Sequence, residues 1–234
     1  MRALEKNIKG FNILELLVVI AIIGLLSAVA YPNFSSWKKE REVRTAAVKI
    51  KNLIIGINTQ VQRGLFGFVQ VLVIENDGVV YVTSRGMNMN TLGEKIQDGS
   101  NIWNTDDSSR CNIDDDDYWD EDGRTSDKLE VQHLEFDDIL INFDSGTGAV
   151  CFSKDGTWYS GADKFISTDK DGETSVDDVF FICSPENSMA KCDVSVTDGT
   201  PKIEHENLFS VQWSRFGNVT LDKWSKRLDD WVLQ

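Results

Sequence analysis

Residues 10–31 of this 234-residue chain read GFNILELLVVIAIIGLLSAVAY and form its longest apolar stretch. As a helix, the part from Phe11 to Tyr31 would be about 30 Å long, which is the thickness of the apolar core of a bilayer. A single carboxylate, that of Glu15, interrupts the stretch. An ionisable side chain in a membrane-length segment costs about 3 kcal/mol, so we infer that Glu15 has a specific role in an apolar environment.

The residues around this carboxylate resemble the N-terminus of type IV pilins and of the related pseudopilins. The resemblance rests on Gly10, Phe11, Glu15, Gly24 and Pro32, which match that family at fixed spacing. In the family, a prepilin peptidase cuts after the glycine, here Gly10, and methylates the new N-terminal residue, here Phe11. The resemblance therefore implies processing at Gly10 and a role in filament assembly for Glu15, Gly24 and Pro32.

Three parts of the chain follow from this resemblance. Residues 1–10 would be a leader, residues 11–64 a long helix, and residues 65–234 a globular head. The half of the helix formed by residues 11–31 would span the inner membrane once in the precursor and would enter the filament core afterwards. A plain signal anchor or a secretory signal peptide is the alternative, but a plain anchor would not need Glu15.

Within an apolar filament core, the carboxylate of Glu15 would need a cationic partner. The free amine created at Phe11 of a neighbouring subunit would provide one, and this pair would set the axial register between subunits. Pro32 has no amide hydrogen and is expected to kink or loosen the helix. A simple helix break at the membrane surface is the alternative at Pro32.

Beyond Pro32, apolar residues recur with the spacing of one helix face. This stripe predicts the surface on which a globular head packs. The helix is expected to end near Arg63, because Gly64 is a natural C-terminal stop. The residues of the stripe are Val43, Ala46, Ala47, Ile50, Leu53, Ile54, Ile57 and Val61.

The head is predicted to be one β-rich domain. Its first two strands, FGFVQVLVIE and VVYVTS, flank the hairpin turn Asn76-Asp77-Gly78. A helical signal is present around Leu92–Ile96. The fold class is therefore α+β, with a long N-terminal helix packed on a β-sheet-rich head, which the resemblance identifies as a pilin fold. Further candidate strands are VQHLEF, ILINF, AVCFS, DVFFIC, CDVSV, LFSVQW and NVTL.

Two later stretches resemble the GspH/FimT-like minor pilins and pseudopilins. They are Ile139–Gly148 and the closing segment LFSVQWSRFGNVTL. Members of that group often end with a glycine-arginine-hydrophobic step, whereas Gly217 is followed here by Asn218. This resemblance favours a minor pilin and leaves a major pilin or a type II secretion pseudopilin as alternatives.

The formal net charge of the chain is −14, and much of it lies in residues 106–127, which hold ten acidic residues and two arginines. Such a window is either a solvated loop or a surface that binds a cation or a partner. DNA binding depends on clusters of lysine and arginine, and the small group Lys223, Lys226 and Arg227 is a weak candidate. DNA binding is therefore disfavoured.

The four cysteines all follow the apolar stretch, and an even number in an exported head predicts disulfides. Four cysteines allow three pairings. We favour Cys183–Cys192, which would join neighbouring strands, together with Cys111–Cys151, which would tether the acidic window.

Residues 167–178 can be aligned with a calcium-binding loop. Its oxygen donors would be Ser167, Asp169, Asp171, Glu173, Ser175 and Asp178, with Gly172 at the sharp turn. Ser167 at the first position weakens the match, and an acidic turn between strands is the alternative. The calcium-loop interpretation implies that the loop binds Ca²⁺, and the sequence indicates no required cofactor.

No catalytic motif accompanies the histidines His133 and His205, so we expect that the protein is not an enzyme. The predicted function is that of a structural subunit of a type IV pilus-like filament, with prepilin peptidase, other pilin subunits and the inner membrane as partners. Its final location would be an extracellular or periplasmic filament. A membrane-anchored module for binding or adhesion is the alternative of another class.

Overall fold

The computed structural model describes residues 12–76, 78–97, 129–141, 147–154, 179–185, 192–195, 200–202, 207–213 and 218–234. Two compact units are present, Met1–Lys39 and Glu40–Gln234. The elements, in chain order, are α1 (Ile13–Gln62), β1 (Phe68–Asn76), β2 (Val79–Met87), α2 (Met89–Gln97), β3 (Leu129–Phe136), β4 (Leu140–Ile141), β5 (Thr147–Ser153), β6 (Val179–Cys183), β7 (Leu208–Trp213), β8 (Val219–Ser225) and β9 (Asp230–Leu233).

The strands form two antiparallel sheets. The first has four strands in the order β3-β2-β1-β5, and the second has five strands in the order β4-β6-β7-β8-β9. A long N-terminal helix followed by antiparallel sheets confirms the predicted α+β class.

The predicted apolar stripe of α1 is buried in the core of the head. All eight residues from Val43 to Val61 named above are at most 5% exposed. They share one cluster with residues of both sheets, among them Val71 of β1 and Phe180 of β6. The helix spacing in the sequence therefore identified the face of α1 on which the sheets pack.

The end of α1 also follows the prediction. The amide of Gly64 donates to the carbonyl of Val61 at 2.9 Å, and that of Leu65 donates to the carbonyl of Gln60 at 3.0 Å. These two bonds form a Schellman motif, in which the residue after the helix adopts a positive φ. Gly64 has φ 74°, a conformation that glycine adopts without steric cost.

Strand β1 of the first sheet is buried on both faces over most of its length, which explains its nearly continuous apolar sequence. Val69, Val71 and Val73 face the core that contains α1. Phe68 and Leu72, on the opposite face, lie in a second cluster with Met87, Ala149 and Cys151, and Leu92 of α2 packs against it. The predicted helix around Leu92 therefore packs against the second face of this sheet.

The strand predictions vary in accuracy. β1 and β2 pair across a two-residue connection, with Asn76 opposite Val79, as the hairpin turn predicted. The stretch CDVSV contributes an isolated bridge between Val194 and Pro201 instead of a strand. The strand β9 was missed, because the short stretch Asp230–Leu233 has no alternating pattern of its own.

The hairpin of β8 and β9 forms one edge of the second sheet. Its loop ends at Asp229, which has φ 52° and whose amide donates to the carbonyl of Ser225 at 2.9 Å. Trp224 and Trp231 face each other across the hairpin with ring centroids 5.4 Å apart. On the edge strand β9, the amide of Trp231 donates to Asp230 Oδ1 at 2.8 Å.

Candidate assembly surface on the N-terminal helix

The first turn of α1 is capped by Asn12. Its Oδ1 accepts a hydrogen bond from the amide of Leu14 at 3.2 Å, and its carbonyl accepts from the amide of Glu15 at 3.0 Å. Asn12 is thus the N-cap residue, and Glu15 occupies the third helical position, as in a capping box. The sequence signal for this cap, Asn-x-x-Glu, was present but was not recognised.

Glu15 is exposed in the first turn of α1. The unpaired amides of a helix N-terminus produce a partial positive charge, so a carboxylate is favourable at this position. This local role is independent of the predicted pairing with a neighbouring subunit. Gly10 and Phe11, which define the processing site and the proposed cationic partner, lie outside the described residues.

The half of α1 that begins at Ile13 has an almost entirely apolar, exposed surface. Its large apolar side chains range from 45% exposed at Val19 to 80% exposed at Ile13. A contiguous surface of this kind is typical of an interaction site. The exposed residues are Ile13, Leu14, Leu16, Leu17, Val18, Val19, Ile20, Ile22, Ile23, Leu25 and Leu26.

The side chain of Ser27 is satisfied within the helix. The hydroxyl of Ser27 donates to the carbonyl of Ile23 at 2.8 Å, one turn earlier. Within the part of the chain that the structure describes, no helix meets the length and hydropathy needed to cross a membrane.

Gly24 and Pro32 both lie within α1. A Cβ atom built on Gly24 would meet no other atom within 4 Å, so nothing within its surroundings in the described chain requires a glycine there. The helix continues through Pro32, and the alternative of a helix break at that residue is therefore wrong.

The start of the buried half of α1 is joined to the second sheet by an ion pair. Lys223 of β8 contacts the carboxylate of Glu40, and both side chains are partly exposed. The ammonium group of Lys223 also lies 5.8 Å from the ring centroid of Phe209. One member of the small basic group at the C-terminal end is therefore engaged within the head.

A cleft of about 420 Å³ lies beside this ion pair, on the hairpin of β8 and β9. Its lining combines lysine, tryptophan, aliphatic and uncharged polar side chains of the two strands and the residues next to them. The lining residues are Lys223, Trp224, Ser225, Lys226, Leu228, Val232 and Gln234.

The structure contains the disulfide that the sequence favoured, between Cys183 and Cys192, with Cα atoms 5.9 Å apart. Cys192 Sγ lies 3.3 Å from the carbonyl oxygen of Leu140 on β4. Cys151 is also disulfide-bonded. Cys111 lies outside the described residues, so its pairing with Cys151 stays a prediction.

The predicted calcium loop, residues 167–178, and the acidic window, residues 106–127, lie outside the described part of the chain. Among the described residues, no group of three or more His, Cys, Asp or Glu side chains is placed to hold a metal ion.

His133 lies on the exposed edge strand β3, where its Nδ1 is 2.9 Å from the hydroxyl of Thr83. Its ring stacks against Tyr81 with centroids 6.1 Å apart. These contacts are those of a surface residue that contributes to the packing of the first sheet. His205 lies outside the described residues.

A capped helix with an exposed apolar half and a second half packed on antiparallel sheets is consistent with the α+β pilin fold that the resemblance implies. No family model matches the chain, and no solved structure matches it. Three curated relatives are similar to it over short stretches. A fimbrial protein of Moraxella nonliquefaciens is 39% identical over 56 residues, which is 24% of this chain and 36% of the relative.

The type IV major pilin protein PilA of Myxococcus xanthus is 40% identical over 45 residues, or 19% of this chain and 20% of PilA. A fimbrial protein of Pseudomonas aeruginosa is 32% identical over 56 residues, again 24% of this chain and 36% of the relative. The chain thus spans about a third or less of the length of these relatives. Their names designate fimbrial and pilin proteins, not enzymes.

These relatives confirm the resemblance to type IV pilins that Gly10, Phe11 and Glu15 indicated. The resemblance to GspH/FimT-like minor pilins stays a prediction.

Proposed function

We propose that this protein is a structural subunit of a type IV pilus-like filament, and more specifically a minor pilin. In this proposal the precursor lies in the inner membrane, a prepilin peptidase cuts after Gly10, and the new N-terminus at Phe11 is methylated. The apolar half of α1 then enters the filament core, and the head lies outside, in the periplasm or beyond the cell.

The observation that supports the filament role most directly is the exposed apolar surface of α1. Eleven large apolar side chains from Ile13 to Leu26 are exposed in the isolated chain. Burying apolar surface stabilises an assembly by about 25 cal/mol per Å², so such a surface favours association with copies of the same helix or with lipid. The similarity to fimbrial proteins favours the first of these for the mature protein.

Glu15 would act in this assembly through its charge. In the proposed core, its carboxylate pairs with the free amine at Phe11 of a neighbouring subunit, because an unpaired charge in an apolar interior is strongly destabilising. This pairing would favour one axial offset between adjacent helices over all others.

Two substitutions separate the charge of Glu15 from its position in the capping box. Glu15→Gln removes the charge but keeps a side chain that a capping box accepts, whereas Glu15→Ala removes both. We expect both variants to be made and cleaved normally but to be depleted from sheared filaments by about a hundredfold or more, because removing one partner of a buried ion pair costs about 3–5 kcal/mol. Normal incorporation of Glu15→Gln would refute the pairing with Phe11.

Mass spectrometry of the mature N-terminus tests the processing step. The expected product begins at Phe11 and bears one methyl group, and it is absent from cells without the peptidase. A chain that keeps residues 1–10 in cells with an active peptidase would overturn the filament proposal. It would leave the membrane-anchored binding module as the better hypothesis.

The abundance of the protein in purified filaments distinguishes the subtypes. A minor pilin is expected at a small fraction of the main subunit, whereas a major pilin would dominate the preparation. A secretion defect without loss of pili on deletion would identify a type II secretion pseudopilin instead.

A further inference from the structure

Two aromatic side chains and two lysines follow the exposed apolar run of α1. Phe34 and Trp37 are 61% and 53% exposed, and their ring centroids are 5.8 Å apart. Lys38 is four positions after Phe34, so Phe34, Trp37 and Lys38 lie on one face of the helix. Lys39 is also exposed.

The sequence around these lysines is basic although the chain is acidic. Residues 38–44 hold four basic and two acidic side chains, whereas the whole chain has a net charge of −14. One of the two acidic residues, Glu40, forms its ion pair with Lys223 inside the head. Its charge is thereby balanced within the protein.

We propose that Phe34, Trp37, Lys38 and Lys39 form an interfacial band that binds the headgroup layer of an anionic lipid membrane. Tryptophan concentrates at membrane interfaces because its amphipathic ring sits at the level of the headgroups, and the ring of Phe34 extends the apolar surface beside Trp37. Lysine side chains next to such a ring are attracted by the negative surface of anionic lipids. The inference rests on the proposed function, in which the chain passes through a membrane-bound precursor.

The order of the residues favours lipid over a second copy of the chain as the occupant. Along α1, an apolar run is followed first by aromatic side chains and then by lysines, which is the order of polarity from the core of a bilayer to its surface. A contact with another protein would not require this order. The band would therefore fix how far the helix enters the membrane before assembly.

The test uses the full-length protein in neutral detergent micelles and measures its transfer into lipid vesicles. One set of vesicles contains phosphatidylcholine alone, and the other contains about a third phosphatidylglycerol, which is anionic. Wild type is expected to prefer the anionic vesicles by about tenfold or more at low salt. The preference should vanish near 1 M salt, where the Debye length falls to about 3 Å.

A double variant, Lys38→Gln with Lys39→Gln, is expected to lose most of this preference. The matched control is Lys202→Gln with Lys226→Gln, which removes two exposed lysines from the head and changes the net charge equally. The control should keep the preference of wild type. An equal loss in both double variants, or no preference in wild type, would overturn the band.

The aromatic part of the band has its own test, since Trp37 is one of seven tryptophans and its fluorescence can be isolated by subtraction. Lipids brominated close to the headgroup should quench one component of the emission, and Trp37→Phe should remove that component. Equal quenching of wild type and Trp37→Phe would overturn the placement of Trp37 at the interface.

The same variants distinguish failure of the band from failure of the filament proposal. If the lysine variant loses its lipid preference while the wild-type protein is absent from sheared filaments, the band stands and the filament role is refuted. If Glu15→Ala is depleted from filaments while the lysine variant keeps its lipid preference, the band alone is refuted. A change of oligomeric state in micelles, with unchanged lipid preference, would assign this surface to a second copy and would also refute the band.

Discussion

Residues 13–26 and residues 43–61 are two apolar stretches of the same helix, but their surroundings differ. In the first, large side chains such as Leu14 and Leu25 are 67% and 72% exposed, whereas in the second Ile50 and Ile54 are fully buried. The first stretch is apolar all round, and the second is apolar on one face. Hydrophobicity on all sides therefore marks a helix whose partners come from outside the chain, and a single stripe marks one whose partners lie within it.

The largest expected difference between the two stretches concerns matched isoleucines. Ile54→Ala leaves a cavity in the core of the head and should lower the free energy of unfolding by about 2–5 kcal/mol. Ile22→Ala changes a half-exposed side chain and should alter it by less than about 0.5 kcal/mol. Denaturant unfolding of the detergent-solubilised full chain measures both, and equal effects would contradict the division of the helix into two kinds of surface.

A second pair of variants adds volume instead of removing it. Ala47 is fully buried, so Ala47→Leu should overpack the core and cost about 1–3 kcal/mol of unfolding free energy. Gly24 has open space around it, so Gly24→Leu should not destabilise the isolated chain. It should nevertheless lower incorporation into filaments if neighbouring helices approach closely at Gly24. Thermal unfolding and filament fractionation report the two effects separately.

Substitutions in the ion pair between Glu40 and Lys223 test where the buried half of α1 begins. A double-mutant cycle with Glu40→Gln and Lys223→Gln should give a coupling of about 0.2–1 kcal/mol, since both side chains are partly exposed to solvent. The coupling should shrink as salt is added. A coupling of zero at low salt would place this end of α1 outside the cooperative unit.

The smallest expected effect concerns the pH dependence of the stability and depends on Glu75. This residue follows Val69, Val71 and Val73 on the face of β1 that packs towards α1. Burial raises the pKa of Glu75 above its ordinary value of 4.5. The folded state therefore holds this proton more tightly than the unfolded state, and stability falls as the pH rises above about 4.5. Compared with Glu75→Gln, wild type should lose stability progressively on going from pH 4 towards neutrality, as thermal midpoints across that range would reveal. If the thermal midpoints of wild type and Glu75→Gln change with pH in parallel, the proposed contribution of Glu75 is contradicted.

The features that the sequence predicted well are local ones. The stripe from Val43 to Val61, the stop at Gly64 and the hairpin between β1 and β2 each depend on spacing or on one turn. The pairing of Glu40 with Lys223 could not be predicted in this way, because 183 positions separate the two residues. Which distant side chains meet depends on the packing of the whole core, and one sequence holds no periodic signal for it.

The candidate site was predicted only in part. Glu15 and Gly24 were singled out through the resemblance to type IV pilins, and their roles stay predictions, whereas the cap at Asn12 was overlooked although Asn-x-x-Glu is a local signal. The strand β9 was also missed, because Trp231 and Val232 form a strand through pairing with β8 and not through a pattern of their own.

The hydrogen bond between the amide of Trp231 and Asp230 Oδ1 bears on how copies of this protein avoid the wrong contacts. Unsatisfied amides on an edge strand invite another chain to add a strand, and an acidic side chain there discourages it. Subunits at high local concentration at an assembly site would be continuously exposed to such strand addition. A strand that satisfies its own amide and repels its copies would leave the helices as the route by which the polymer grows.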